Sequence, residues 1–270
     1  MSPTSISLIF IAFLLVGFGA ARDNARSQLS QNRIIGGDDV SIVHYAHQVS
    51  LRRKTCQECA YLHLCGGNIL NEDTVLTAAH CVIDRDIRNF IVVAGTGQRT
   101  ASDGTVVLIE KIVTHERYNA SITDYDVALL FLATPLTLDR VFTAAVPLVQ
   151  STPEIDAKAT ITGWGTLSEG GMAALQLQAV NVFVLDRAQC SAAYGDRFTA
   201  AMLCASAKDG GKDACQMDAG GPLLVENQLA GIISWAIGCA RPENPGVYVN
   251  VSHVRQWIEL TVAANSLYNF

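Results

Sequence analysis

The chain has 270 residues, half of them apolar and 16% charged, and its formal net charge is −6. This balance excludes a disordered chain, because disorder goes with few apolar residues and high net charge. An acidic chain also lacks the basic surface that nucleic acids require, so no nucleic-acid partner is expected. The length suits one large all-β domain or two small barrels that share a core.

The N-terminus has the pattern of a secretory signal. The first 21 residues carry no charged side chain, and the apolar run Leu8–Gly19 is followed by Ala20, Ala21 and then Arg22. An apolar run this short with small residues at its end is typical of a cleaved signal peptide, here residues 1–21. A membrane span needs about 20 apolar residues, and no later segment reaches that length. The sequence therefore predicts a secreted, extracellular protein with no membrane partner.

Apolar and β-branched runs separated by turn residues predict an all-β domain. The predicted strands are Thr74–Ala79, Phe90–Ala94, Thr105–Val113, Val127–Leu132, Ala159–Thr162, Val180–Leu185 and Leu229–Trp235. The proline-containing stretch Pro135–Ala157 is the expected connection between two halves. Helical spacing is found only at the C-terminal end, where Val254, Trp257 and Ile258 share a face and Ser252 could cap the helix.

Eight cysteines in a secretory context indicate disulfides, although composition alone leaves their pairing open. The spacing of Cys56, Cys59, His63 and Cys65 superficially resembles a zinc knuckle. A short-loop Cys56–Cys59 disulfide is the alternative, and secretion favours it.

Several short motifs follow one another in a fixed order. They are Arg33-Ile34-Ile35-Gly36-Gly37, Thr77-Ala78-Ala79-His80-Cys81, Asp124-Tyr125-Asp126-Val127-Ala128-Leu129-Leu130, Asp213-Ala214-Cys215-Gln216-Met217-Asp218-Ala219-Gly220-Gly221-Pro222, Ser234-Trp235 with Gly238-Cys239, and Pro245-Gly246-Val247-Tyr248. Histidine, then aspartate, then a glycine-rich turn is the chymotrypsin-type order of a catalytic triad. From Ile34 to about Leu260 the chain resembles the trypsin family of serine peptidases, and insect digestive trypsins in particular.

The resemblance implies a fold of two six-stranded antiparallel β-barrels with a C-terminal α-helix. On this basis residues 22–33 are an activation propeptide and residues 34–265 form the peptidase domain. The first barrel spans about 34–138, the second about 139–251, and the helix about 252–264. The implied disulfides are Cys65–Cys81, Cys190–Cys204 and Cys215–Cys239, which leaves Cys56 and Cys59 to pair with each other.

The resemblance assigns the general base to His80 and the orienting carboxylate to Asp126, although composition alone would allow Asp124 equally well. The other five histidines are expected to be ordinary structural residues: His44, His47, His63, His115 and His253. The nucleophile of the family falls on Ala219, whose methyl group cannot attack a carbonyl. The oxyanion hole uses the backbone N–H groups of residues 217 and 219, and Met217 replaces the glycine of the family there.

These departures predict a catalytically inactive homologue that binds rather than cuts. A third departure, Ala236 in place of a cleft-wall glycine, favours natural loss of activity. The alternative is an active trypsin-like endopeptidase, cleaving after Arg or Lys, whose serine was replaced by design.

The resemblance also supplies a binding pocket. Asp213 falls at its base, Ser234 supports Asp126, and Ala236, Gly238 and Gly246 belong to its walls. A buried carboxylate would attract Arg or Lys side chains of a protein or peptide ligand; alternatively, Asp213 is a retained residue without a ligand.

Activation in the family requires a cut after the residue corresponding to Arg33. The new amino terminus, Ile34, would then pair with Asp218, and another protease would have to make the cut because Ala219 cannot. The chain is expected to act as a monomer. No cofactor and no metal are expected; in particular, the segment Gly95–Thr105, where some trypsins bind calcium, offers only Asp103 as an acid. Two glycosylation sequons begin at Asn119 and Asn250.

Overall fold

A computed structural model describes residues 36–100, 102–208, 211 and 213–266 of the chain. The predicted signal peptide, the propeptide and the residues Arg33 and Ile34 lie outside this described part. None of the helices in these ranges is long and apolar enough to cross a membrane.

The first barrel is closed by six antiparallel strands in the order β2-β3-β4-β7-β6-β5. These strands are β2 Gln48–Arg53, β3 Leu62–Asn71, β4 Thr74–Thr77, β5 Phe90–Ala94, β6 Thr105–Thr114 and β7 Ala128–Leu132. β4, β5 and β7 are buried along their whole length, which explains why their sequences are apolar runs without alternation.

The second barrel closes in the order β8-β9-β10-β13-β12-β11, with β11 returning to β8. Its strands are β8 Lys158–Gly163, β9 Gln178–Val184, β10 Met202–Ser206, β11 Pro222–Val225, β12 Gln228–Trp235 and β13 Gly246–Asn250. The predicted fold of two six-stranded antiparallel barrels is therefore confirmed. The short strand β1, Asp38–Asp39, pairs with β9, so the start of the domain joins the second barrel, whereas the sequence placed it in the first.

Two α-helices accompany the barrels. The C-terminal helix α2 is Val251–Ser266, so it begins one residue before the predicted cap, Ser252, and extends beyond residue 264. The helix α1, Arg187–Tyr194, was not predicted, although the side chain of Asp186 caps it by accepting a hydrogen bond from the N–H of Ala188. The helical structure is thus not confined to the C-terminal end.

The eight cysteines form four disulfides: Cys56–Cys59, Cys65–Cys81, Cys190–Cys204 and Cys215–Cys239. This pairing agrees with the one that the family resemblance implies. Because Cys56 and Cys59 are bonded to each other, neither offers the thiolate that a zinc knuckle needs.

The two barrels approach each other closely where β3 meets the turn before β11. A Cβ atom placed on Gly66 would lie 2.8 Å from the Cα of Gly221, so only glycine fits there. The N–H of Gly66 donates to the carbonyl oxygen of Ala219 (2.8 Å), and Asn68 Nδ2 donates to that of Gly220 (2.9 Å). These contacts fix the turn of residues 217–221 against the first barrel.

Candidate active site

His80 and Asp126 come together at the end of the first barrel. His80 lies in a 3₁₀ turn, Ala79–Cys81, which the Cys65–Cys81 disulfide ties to β3. The ring Nδ1 of His80 lies 2.7 Å from Asp126 Oδ2, and the backbone N–H of His80 donates to Asp126 Oδ1 (2.8 Å). Ser234 donates to the same Oδ2 (2.6 Å), and the carboxylate is fully buried. The structure thus places Asp126, and not Asp124, against the histidine.

The carboxylate sets both the tautomer and the basicity of His80. The carboxylate of Asp126 accepts a hydrogen bond from the Nδ1–H of His80, which leaves Nε2 as the basic atom of the ring. Burial alone would lower the pKa of His80, but the hydrogen bond and the charge of Asp126 together raise it above its ordinary value, against a small opposing effect of Arg85. His80 therefore has the properties of a general base.

Ala219 occupies the third position of this constellation. Its side chain is half-buried and lines the same cavity as His80. The neighbouring Gly220 has φ +81°, and a Cβ atom there would clash with the carbonyl oxygen of Gly66, so the turn depends on glycine. The backbone that presents a nucleophile is in place, and the residue that it presents is alanine.

Met217 has φ +76°, in the left-handed region that favours glycine. The carbonyl oxygen of Gln216 accepts a hydrogen bond from the N–H of Thr166 (2.9 Å). Because the C=O and N–H of a trans peptide point in opposite directions, the N–H of Met217 points away from Thr166. In the same way the carbonyl of Asp218 accepts from Gly221 (2.9 Å), which directs the N–H of Ala219 to the opposite side. Hydrogen bonds to the carbonyl groups of these two peptides therefore fix the directions of the N–H groups of Met217 and Ala219.

A buried hydrogen-bond chain holds the next peptide, and the sequence reasoning missed it. His63 lies between Ser50 Oγ (2.8 Å from Nδ1) and the carbonyl oxygen of Met217 (3.0 Å from Nε2). Since a carbonyl only accepts, Nε2 carries the proton and Nδ1 accepts from Ser50. Burial lowers the pKa of His63 to about 4, so the ring stays neutral. His63 is thus a structural histidine, and it supports the turn of residues 217–221.

We expect Met217→Gly to raise the free energy of unfolding by about 1 kcal/mol, because a non-glycine residue in the left-handed region costs about 1–2 kcal/mol. Urea denaturation of the two chains measures the difference. Arg140→Gly, at a second position with positive φ (63°), is a matched control outside the cavity and should also stabilise. A loss of stability in Met217→Gly alone would show that the methionine side chain contributes more than its backbone conformation costs.

A cavity of about 310 Å³ opens beside His80 and extends into the second barrel. It brings together all the residues predicted for the pocket and the oxyanion hole. Those lining it are His80, Asp213, Met217, Ala219, Ser234, Ala236, Gly238 and Gly246. A Cβ atom on Gly246 would lie 2.7 Å from Asp213 Oδ1, so glycine keeps this carboxylate open to the cavity.

Asp213 is a buried acid at the base of this cavity. Its Oδ1 accepts from the N–H of Ala214 (2.8 Å) and its Oδ2 from the N–H of Ala240 (3.2 Å). Burial raises the pKa of Asp213 to about 7, and the two backbone hydrogen bonds only partly oppose that effect. A buried carboxylate that accepts two backbone hydrogen bonds and faces an open cavity is suited to bind a cationic group.

Asp218 belongs to the turn of residues 217–221, and its side chain is as buried as that of Asp213. It accepts hydrogen bonds from the N–H groups of Gly165 (2.7 Å) and Cys215 (2.9 Å), and burial raises its pKa to about 7. Its predicted partner Ile34 and the cleavage point Arg33 lie outside the described residues.

The two sequons differ in accessibility. Asn119 is exposed. Asn250 is buried, and its Nδ2, the atom that a glycan would modify, donates to Thr152 Oγ1 (2.9 Å). The prediction of a glycosylation site at Asn250 is corrected for this reason.

Comparison with known proteins identifies the family. A family model described as Trypsin matches residues 34–258. The chain is 44% identical to Trypsin eta of Drosophila melanogaster over 260 residues, which covers 96% of this chain and 97% of that protein. It is 36% identical to Anionic trypsin of Canis lupus familiaris, covering 96% of this chain and 99% of that protein.

These findings contradict the expectation that the chain is not an enzyme. Three relatives that are 36–45% identical to the chain and matched over almost their whole length are named as trypsins. The histidine, the aspartate, the glycine-rich turn and the pocket are assembled, and the departure at residue 219 is one side-chain oxygen atom within that framework. With a family model over most of its length and relatives aligned from end to end, the chain belongs to the trypsin family of serine peptidases.

Proposed function

We propose that this chain binds Arg or Lys side chains of a polypeptide at Asp213, as a trypsin-type endopeptidase does. We further propose that it cleaves the bond after that residue when position 219 carries a serine. The observation that supports the proposal is the cavity itself, which has a buried carboxylate at its base and the His80–Asp126 pair at its mouth.

The reaction would use groups already described. Nε2 of His80 would take the proton of a serine hydroxyl at position 219 as the oxygen attacks the scissile carbonyl, and Asp126 would stabilise the imidazolium. The N–H groups of residues 217 and 219 would donate to the oxyanion. The imidazolium would then pass its proton to the leaving amine, and water would release the acyl group by the same steps in reverse. The hydrolytic half of the proposal is tested by Ala219→Ser.

Recognition can be tested on the chain as it is, with benzamidine as an amidinium probe. The amidinium is a cation throughout the neutral range and needs an ionised carboxylate. Because burial raises the pKa of Asp213 to about 7, lowering the pH protonates this carboxylate before the probe binds. We expect the dissociation constant, measured by calorimetry, to rise about 100-fold between pH 8 and pH 5.

His80 also gains a proton in this range, so its effect must be separated. The variant His80→Ala removes that charge and should keep the pH dependence, whereas Asp213→Asn should bind weakly at every pH. Benzamidine binding that is absent at millimolar concentration, or that does not respond to pH, would exclude Asp213 as the recognition group.

We further propose that the protein is secreted and functions as a monomer on protein or peptide substrates. Four disulfides are consistent with an oxidising compartment. Cleavage after Arg33 by another protease would supply the amino group of Ile34 to Asp218, whose buried carboxylate accepts hydrogen bonds from two backbone N–H groups. Asn119 is the proposed glycan site.

A further inference from the structure

One wall of the Asp213 cavity is a single segment of chain, Gly238–Arg241. Gly238 and Cys239 line the cavity, and the N–H of Ala240 donates to Asp213 Oδ2. The position of this segment therefore decides both the width of the cavity and the hydrogen bonding of its carboxylate. Ala240 has φ +56°, a conformation that a residue with a side chain rarely adopts unless other contacts hold it.

A carboxylate from a distant loop binds this wall from outside. Glu169 Oε2 accepts a hydrogen bond from the N–H of Cys239 (3.2 Å). The next N–H along the chain, that of Ala240, donates to Asp213. Glu169 also pairs with Arg241, through Oε1 to Nη2 (2.8 Å) and Oε2 to Nε (3.3 Å). Two consecutive N–H groups of the wall are thus bound by two carboxylates, one outside the cavity and one at its base.

The arginine completes the arrangement by lying over the backbone. A Cβ atom on Gly238 would clash with Arg241 Nε, so the guanidinium occupies the space that any other residue at 238 would fill. Both side chains of the ion pair are 45% exposed, and an exposed pair adds little to global stability. Its measurable effect should therefore be local, on the geometry of the wall.

The loop that carries Glu169 lies between β8 and β9, and it has a second attachment near the wall. Gln216 Oε1 accepts from Thr166 Oγ1 (2.7 Å), and Gln216 Nε2 lies 3.2 Å from the sulfur of Cys239. This loop also provides the N–H of Thr166 that orients the Met217 peptide. Through Glu169, this loop connects the turn of residues 217–221 to the wall of the binding cavity.

We infer that Glu169 and Arg241 are positioning residues for recognition of the cationic side chain. This pair, here called the clamp, holds the Gly238–Arg241 wall in place and so maintains the hydrogen bond from the N–H of Ala240 to Asp213. This inference rests on the proposed function. It predicts that loosening the clamp weakens cation binding and also changes the ionisation of Asp213, because the Ala240 hydrogen bond lowers the pKa of that acid.

The test is benzamidine titration of Glu169→Gln across pH. We expect binding at pH 8 to weaken about fivefold, since a charge-assisted hydrogen bond is lost at a half-exposed site, and the midpoint of the pH dependence to move upward. Glu243→Gln is the matched control, because it removes the same charge from an exposed residue two positions after the wall ends. It should change binding less than twofold and leave the midpoint unchanged.

The variant Arg241→Gln separates the effect of the wall geometry on benzamidine binding from the effect of the lost charge. Removal of a positive charge near the cavity should by itself strengthen binding of a cation, so weaker binding by this variant supports the clamp. The proposed clamp is contradicted if Glu169→Gln and Glu243→Gln have the same dissociation constant and pH midpoint for benzamidine, or if Arg241→Gln binds benzamidine more tightly than the parent chain. Either result would leave recognition of the cation by Asp213 unaffected. If the parent chain does not bind benzamidine at all, the proposed function fails first and the clamp fails with it.

Discussion

Ala219→Ser is expected to raise the rate of arginyl-peptide hydrolysis by a factor on the order of 10⁶, the loss in kcat that accompanies removal of the serine in other serine peptidases. The substitution adds one oxygen atom to a side chain that is already half-buried at the mouth of the cavity. The backbone of residue 219 is fixed by the hydrogen bond from Gly66. The new hydroxyl would therefore meet a His80 ring that Asp126 already orients.

The measurement is hydrolysis of an arginyl anilide by protein that has been cut after Arg33. The Ala219 chain, purified in parallel, reports contaminating proteases, and Ala219→Ser combined with His80→Ala reports activity that does not use the histidine. Both controls set the background rate with which Ala219→Ser is compared. A rate for Ala219→Ser within tenfold of the Ala219 chain would contradict the proposed cleavage function.

Addition of Met217→Gly to Ala219→Ser distinguishes the two departures. Loss of one oxyanion donor costs about 2.7–4 kcal/mol, or 10²–10³ in rate. Because Met217 already has a glycine-like φ and its N–H points away from Thr166, we expect less than a tenfold gain. A gain of 10² or more would show that the methionine does damage the oxyanion hole.

The sequence predicted those features that local patterns specify. Phe90–Ala94 and Thr105–Val113 are found as strands because apolar and β-branched runs bounded by turn residues reflect burial in a barrel. Helix α1 could have been found from Asp186, a good N-cap residue, but its apolar face is too weak to show in the spacing.

Other features depend on contacts between residues far apart in the chain. The clamp joins Glu169 to Arg241, two charged residues that look like ordinary surface positions in the sequence. The conformation of Met217 could not be predicted either, since methionine rarely adopts positive φ, and here the surrounding hydrogen bonds from Thr166 and His63 impose it. The order of the motifs in the sequence thus located the site. The contacts that hold its loops in place could be found only in the structure.

The second large effect concerns Asp126. We expect Asp126→Asn, made in the Ala219→Ser chain, to lower kcat about 10⁴-fold, the loss that the same change causes in other triads of this type. The carboxylate accepts three hydrogen bonds, from His80 Nδ1, His80 N and Ser234 Oγ, and is fully buried. In asparagine the amide oxygen is needed to accept from the backbone N–H of His80, so the NH₂ group faces the ring and donates a hydrogen bond to Nδ1. The proton then moves to Nε2, the atom that must accept from the serine.

A readout that needs no activity tests the same claim in the Ala219 chain. Asp126 raises the pKa of His80 against the effect of burial, so the NMR titration of His80 should have its midpoint above 6.5. In Asp126→Asn the burial remains while the charge is lost, and the midpoint should fall below that value. Asp124→Asn is the matched control two residues away: Asp124 bonds Thr199 and the N–H of Tyr125, and neither contact involves His80. If Asp124→Asn lowered kcat as much as Asp126→Asn, or if the His80 midpoint did not fall, Asp126 would not be the group that sets the tautomer of the base.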